Sequence, residues 1–210
     1  MWRRGLTQPI AQGLRLTENN AMTPALLMSM ADFVREVQGR CRGTLDPFEM
    51  GLFLSASRIE PASLEGFVQF AVGRYTRHLV HKDRDVELLV LCWARGAVAP
   101  IHGHEGEYCW ARVERGQLTF RSYRRLLRAP LELEALGGEV EGGPGYVDGP
   151  ADIHSVSNPA ARGEDAVSVH VYCRPYDECD LYDIEQGTVR RVRLAYDSVP
   201  PRQTARTRSQ

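Results

Sequence analysis

Two histidines two positions apart, His102 and His104, stand in the segment GAVAPIHGHEGEYCWARVERG. On a β-strand, residues two apart point to the same face. A strand here therefore sets two imidazoles side by side, as two ligands of a metal site. Taken alone the pair is weak evidence, because two histidines this close arise often by chance. Further along, Ser168, His170 and Tyr172 alternate in the run SVHVYC, and the same parity puts a hydroxyl, an imidazole and a phenol on one face. Such a row can relay a proton or simply satisfy itself as a core network. Arg77, within YTR, carries a planar fork that pairs bidentately with carboxylates, although an arginine at a strand start is ordinarily a solvated surface residue.

The flanks of the histidine pair carry more information than the pair. Gly96, five residues, His-x-His, and then Gly116 after the next strand resemble the first motif of the cupin superfamily. His154, with Asn158 following after three residues, resembles the second motif, beyond the Gly-rich turn Gly142-Gly143-Pro144-Gly145. Ala151 stands where the second motif usually has glycine. The larger departure lies in the first motif. Most cupins place a glutamate ligand past the second histidine, four residues intervening; here, five positions past His104, that place belongs to Cys109, and Glu107 is out of register. What remains is a three-histidine set. It compensates the charge of a divalent iron less than two histidines and a carboxylate would, and leaves positions for a thiolate, an amine and dioxygen.

With that substitution the chain resembles the cysteine dioxygenases of the thiol dioxygenase family, in the animal-like branch. The segments that carry the resemblance run from Arg74 to Asp183: RYTRHLV, LLVLCWARG, IHGHEGEYCWARVERGQL, IHSVSN, AVSVHVYCRPYDEC and DLYD. The resemblance implies one Fe(II) per chain on His102, His104 and His154, and oxidation of L-cysteine by dioxygen to cysteine sulfinate. It assigns Arg77 to the substrate carboxylate, with Tyr75 on the same face touching the substrate. It makes Ser168, His170 and Tyr172 a hydrogen-bonded relay whose phenol can donate to the reacting oxygen or sulfur. It also implies a thioether between Cys109 and Tyr172, whereas a free buried cysteine otherwise behaves as a small hydrophobe. Three rival readings stay open. One is a dioxygenase for 3-mercaptopropionate or another small thiol acid, against which Arg77 and Cys109 argue. Another is a cupin isomerase or hydrolase on a different metal, and the third a non-catalytic metal-binding cupin. Trp93, Cys179 and Tyr123 are expected in the core, His78 and His81 on the surface, and Asn158 in a turn.

The elements that must position these residues change character along the chain. After a cap at Thr23, apolar residues at Leu26, Leu27, Met30, Phe33, Val34 and Val37 predict a helix, and Pro61–Arg74 predicts a second with Leu64, Phe67, Val68, Phe70 and Ala71 inward. From about Arg77 short alternating runs separated by Gly and Pro turns predict strands. The expected architecture is one mostly-β cupin domain, a small jelly-roll-like barrel. Residues 1–74 supply helices packed outside it, 75–199 the barrel and its metal site, and 200–210 a basic, frayed tail.

The chain has 210 residues, 43% hydrophobic, with a formal net charge of -1. That balance gives no reason to expect nucleic acid or an anionic membrane as partner, and no run is apolar enough to span a bilayer. The N-terminus makes a poor secretory signal. Five cysteines, Cys41, Cys92, Cys109, Cys173 and Cys179, are odd in number and show no zinc spacing; with the poor export signal, reduced thiols in a cytoplasm are the expectation, and a monomer is expected as well. As partners, the resemblance implies a small thiol and dioxygen.

Overall fold

The computed structural model describes residues 26–200. The expected cap at Thr23 and the tail beyond residue 200 lie outside them. A short strand β1 (Leu26–Met28) precedes α1 (Met30–Cys41), α2 (Pro47–Ala56), β2 (Ser57–Ile59) and α3 (Pro61–Leu64). Twelve strands follow: β3 (Tyr75–Lys82), β4 (Val86–Trp93), β5 (Val98–Gly103), β6 (Tyr108–Arg115), β7 (Leu118–Leu127), β8 (Glu132–Ala135), β9 (Val140–Gly142), β10 (Val147–Ala151), β11 (Ile153–Ser157), β12 (Ala166–Cys173), β13 (Glu178–Asp183) and β14 (Thr188–Arg193). The fold is mostly β, as expected, with its helices on the outside.

The helical part corrects two expectations. The first helix starts at Ser29, whose side chain accepts from Asp32 N at 3.2 Å; Leu26 and Leu27 belong to β1 and are exposed. Met30, Phe33 and Val37 do form the buried stripe. The second helix stops after one turn, at Leu64, and becomes a 3-10 turn over Glu65–Phe67 around Gly66. Leu64 is buried but Phe70 is exposed. Between the two, α2 was not anticipated, although its start is marked: Asp46 caps Phe48 N and Glu49 N, and Pro47 occupies the first turn.

The strands form two main sheets. One has five strands in the order β10-β6-β12-β4-β3, and the other has seven, β14-β13-β5-β11-β7-β8 with β9 beside β7. β4 and β12 are buried at every position because both faces of their sheet are covered. Outside, Phe33 and Val37 of α1 and Met50 and Leu54 of α2 pack on Val86, Leu88 and Val90 of β4 and on Val167, Val169 and Val171 of β12. Inside, Leu89, Leu91, Trp93, Cys109, Ala111 and Tyr172 meet Ala99, Phe120 and Val156 of the second sheet. Arg112, buried on β6, donates to Leu54 O at 2.8 Å and also reaches Ser57 O and Glu114. It thereby ties the C-terminal end of α2 to the sheet.

Two further expectations change. Cys41 at the end of α1 and Cys173 at the end of β12 form a disulfide, with Cα atoms 6.0 Å apart, so the thiols are not all reduced. His78 is buried, not on the surface: its ring meets Ser198 Oγ, Gln69 O and Thr76 Oγ1 at 2.8–2.9 Å. His81 is half-buried beside Gln38 and Asp83. Among the described residues no helix is long and apolar enough to cross a membrane.

Candidate metal centre

His102 and His154 are register partners on β5 and β11 of the seven-stranded sheet, and His104 follows the end of β5. A tight turn with Glu105 and Gly106 at positive φ then leads into β6. One ring nitrogen from each histidine lies within 4.8 Å of the others. Each Nδ1 has an acceptor. His102 Nδ1 donates to Pro100 O at 2.8 Å, His104 Nδ1 to Ala151 O at 2.9 Å, and His154 Nδ1 to Asp148 Oδ2 at 3.1 Å. A carbonyl only accepts, so the tautomers of His102 and His104 are fixed and their Nε2 lone pairs are free. Nε2 of His104 and of His154 is buried with no hydrogen-bond partner.

Burial and the neighbouring His154 lower the His102 pKa to about 3, and burial likewise takes His104 well below its ordinary value. Both rings are thus neutral at physiological pH, the form that ligates metal. The three-nitrogen set fits a divalent first-row cation. Among the described residues no carboxylate joins the group; Glu107 turns instead toward Arg174, at 3.9 Å.

The five-stranded sheet contributes a different set. On β12, Ser168 Oγ lies 2.9 Å from His170 Nε2, and His170 Nδ1 lies 3.4 Å from the Tyr172 hydroxyl. Trp93 Nε1–H, which can only donate, gives its proton to Ser168 Oγ at 2.8 Å. With Ser168 donating onward to His170 Nε2, the His170 Nδ1–H faces the phenol oxygen and leaves the phenol proton free for the cavity. Burial lowers His170 and raises Tyr172 well away from their ordinary values. Tyr172 pairs in register with Cys109 of β6, its neighbour in the same sheet, and burial together with the Asp148 charge pushes the Cys109 thiol up. The His104 and Tyr172 rings are 6.0 Å apart.

A cavity of about 530 Å³ opens beside these groups and reaches His102, His170, Tyr172, Arg77 and Tyr75. Arg77 Nε is buried without a partner. Burial works against the Arg77 charge, but Tyr172, Tyr75 and Glu87 together hold its pKa above the usual value. The backbone of Arg77 is pinned by Asp197, through Arg77 N to Asp197 Oδ2 and Asp197 N to Arg77 O, both 2.8 Å. Tyr75 stacks on Trp93 with centroids 4.9 Å apart. Trp93 and Cys179, expected in the core, are buried and also line the cavity. Tyr123, expected there too, is only half-buried on β7. Asn158 holds the turn after β11, donating to Trp93 O and Glu164 O at 3.0 and 2.9 Å.

Three contributors escaped the sequence reading. Tyr176 lines the cavity 5.7 Å from the Tyr172 ring; it sits in the quoted RPYDEC run but obeys no parity with β12. Asp148 lies six positions before His154, a spacing with no periodic meaning. The return segment at Tyr196 and Asp197 meets β3 across a separation of 120 residues, and no local pattern signals that.

The model of the family described as "Cysteine dioxygenase type I" matches residues 24–185. The chain is 26% identical to "Cysteine dioxygenase type 1" of Homo sapiens over 174 residues, 81% of this chain and 86% of that protein. It is 27% identical to the protein of the same name from Danio rerio over 152 residues, 70% and 75% of the two chains. Among solved structures, a cupin superfamily protein from Desulfitobacterium hafniense is similar over 56% of this chain and 92% of its own, at 12% identity and a TM-score of 0.42.

Proposed function

The chain belongs to the cysteine dioxygenase type I family, and on that premise we propose that it oxidises L-cysteine with dioxygen to cysteine sulfinate. His102, His104 and His154 would hold one Fe(II). The observation that carries the reading is the convergence of three histidine ring nitrogens within 4.8 Å beside a cavity that also reaches Arg77 and Tyr172. When bound, the iron supplies Lewis acidity that favours the substrate thiolate, and the redox capacity that dioxygen activation needs. Both oxygen atoms of dioxygen enter the sulfur, so the substrate provides all the electrons and no outside reductant is required.

The protein's own groups bind and orient. Arg77 is a half-buried cation that lines the cavity and has an unpartnered Nε donor, suited to the substrate carboxylate. Fixing that end places the amine and sulfur toward the histidines, and such positioning supplies rate by converting an encounter into an intramolecular step. Tyr75 and Trp93 wall the cavity behind Arg77 and keep water off it. Tyr172 offers a proton at its hydroxyl, with His170 and Ser168 behind it to restore the proton from the far side. A Cys109–Tyr172 thioether would lock that phenol in place, and the register pairing of the two residues supports it.

Metal analysis of the purified protein, followed by oxygen uptake with cysteine, cysteamine and 3-mercaptopropionate, tests the proposal. Cysteine should be turned over fastest, with iron near one per chain. A preference for 3-mercaptopropionate would move the reading to the related thiol-acid dioxygenases. Absence of oxygen uptake with every thiol, in iron-loaded protein, would leave a non-catalytic cupin.

A further inference from the structure

The three candidate ligands are not held alike. His102 and His104 each rest on a backbone carbonyl. His154 rests on a carboxylate, Asp148 Oδ2, at 3.1 Å. The pair is buried, His154 at 1% and Asp148 at 8% exposure. Asp148 comes from the opposite sheet: it lies on β10, in register with Ala111 of β6, while His154 is on β11 between β5 and β7. Among the described residues no lysine or arginine forms a salt bridge with Asp148; its side chain meets the His154 imidazole and the Tyr146 phenol.

The backbone around Asp148 is shaped to this end. The register of β10 on β6 breaks between Asp148 and Ala151. Gly149 in that break has φ of 111°, and a Cβ there would fall 2.4 Å from Cys109 O. Only glycine permits the chain to turn this close to β6 while Asp148 points across the core. Tyr146, two residues earlier, is raised by burial and by the Asp148 charge, which marks the carboxylate as a local source of negative potential.

We propose that Asp148 is a positioning residue for His154, supplying from behind the ring the negative charge that a three-histidine ligand set lacks. The inference rests on the reading of His102, His104 and His154 as metal ligands. A carboxylate on the distal ring nitrogen fixes tautomer and orientation and raises the basicity of the ligating nitrogen. It does so without occupying a coordination position, so the positions left by the missing glutamate stay open for substrate. The same charge favours the more oxidised state of the metal and lowers its potential.

The test uses the full chain loaded with Fe(II), in wild type, Asp148→Ala and Asp148→Asn forms. Chelator competition gives the metal dissociation constant, and a redox titration gives the Fe(III)/Fe(II) midpoint potential. Asp148→Ala should weaken Fe(II) binding about 10- to 100-fold. Asp148→Asn keeps an oxygen to accept from Nδ1 but removes the charge, so it should bind nearly as wild type and show a more positive potential. An altered fold in the alanine variant leaves the near-isosteric asparagine variant to decide through its potential. Wild-type affinity and wild-type potential in Asp148→Asn, with undiminished affinity in a folded Asp148→Ala, would overturn the proposal. A parallel competition with Co(II) separates this from the reading beneath it. If wild type takes up Co(II) but no Fe(II), the iron assignment fails, and the loss or retention of Co(II) affinity in the variants still decides the role of Asp148.

Discussion

The two main sheets divide the work. All three histidines come from the seven-stranded sheet or its margin, while Arg77, Tyr75, Cys109, Ser168, His170 and Tyr172 all come from the five-stranded one. The sheets also differ in how they are held. The five-stranded sheet has helices and their apolar stripe on one side and the inter-sheet core on the other, and its central strands expose nothing. The seven-stranded sheet turns one face to solvent, and β14 is exposed at nearly every position. The proposed metal site tolerates this, because three ligands that share one ion fix each other, two of them seated on carbonyls and His154 on the Asp148 carboxylate. The proposed hydrogen-bond relay and carboxylate clamp have no such shared anchor, and on this reading they depend on a sheet clamped from both sides.

Breaking one side at a time tests this division. The largest effect is expected from His154→Ala, which removes a ligand from the solvent-facing sheet. Metal affinity should fall by more than the roughly 100-fold upper figure for an outer-shell change, and turnover should nearly vanish. Full metal occupancy in that variant, by elemental analysis, would refute the ligand assignment. Arg77→Ala, on the clamped sheet, should keep the metal and lose about 2–5 kcal/mol in kcat/KM for cysteine. Wild-type protein should correspondingly turn over cysteamine, which has no carboxylate, poorly. Equal kcat/KM for the two thiols would show that Arg77 does not select the carboxylate.

Tyr172→Phe should cost on the order of 100-fold in kcat with metal retained, and Cys109→Ser less, since only the phenol donates. Peptide mass analysis of protein that has turned over should find a Cys109–Tyr172 species lighter by a pair of hydrogen atoms. Identical kcat in Tyr172→Phe and wild type would remove the relay from the mechanism. The smallest effect on chemistry is expected from Cys41→Ser, which opens the bond from α1 to β12. Metal content and kcat should hold, while denaturant unfolding should show a loss of about 2–4 kcal/mol. A drop in kcat with unchanged stability would mean that the tether acts on the relay strand and not on folding.

The legible parts of this protein were those encoded by neighbours in the chain. The alternation of Ser168, His170 and Tyr172 and the stripe Met30, Phe33 and Val37 each follow from one element's own geometry, and the His-x-His pair from β5 and the residue just past its end. Where propensity misled, tertiary context intervened. The stretch after Pro61 has helical spacing, but it leaves the helix at Gly66 to reach β3, so Phe70 never finds a core to enter. His78, on β3, looked like a surface residue because its partners Gln69 and Ser198 come from a turn before the strand and from the far end of the chain.

The amino-acid sequence by itself determined the ligand types, the absence of a glutamate at Cys109 and the mostly-β class, because these depend on residue identity and short periodicities. Tertiary structure alone decided that Cys41 meets Cys173, that Asp197 pins Arg77, and that Asp148 stands behind His154. Each of these joins residues from separate parts of the fold, and strand order and register, set by how the sheets bury their apolar faces, bring such partners together.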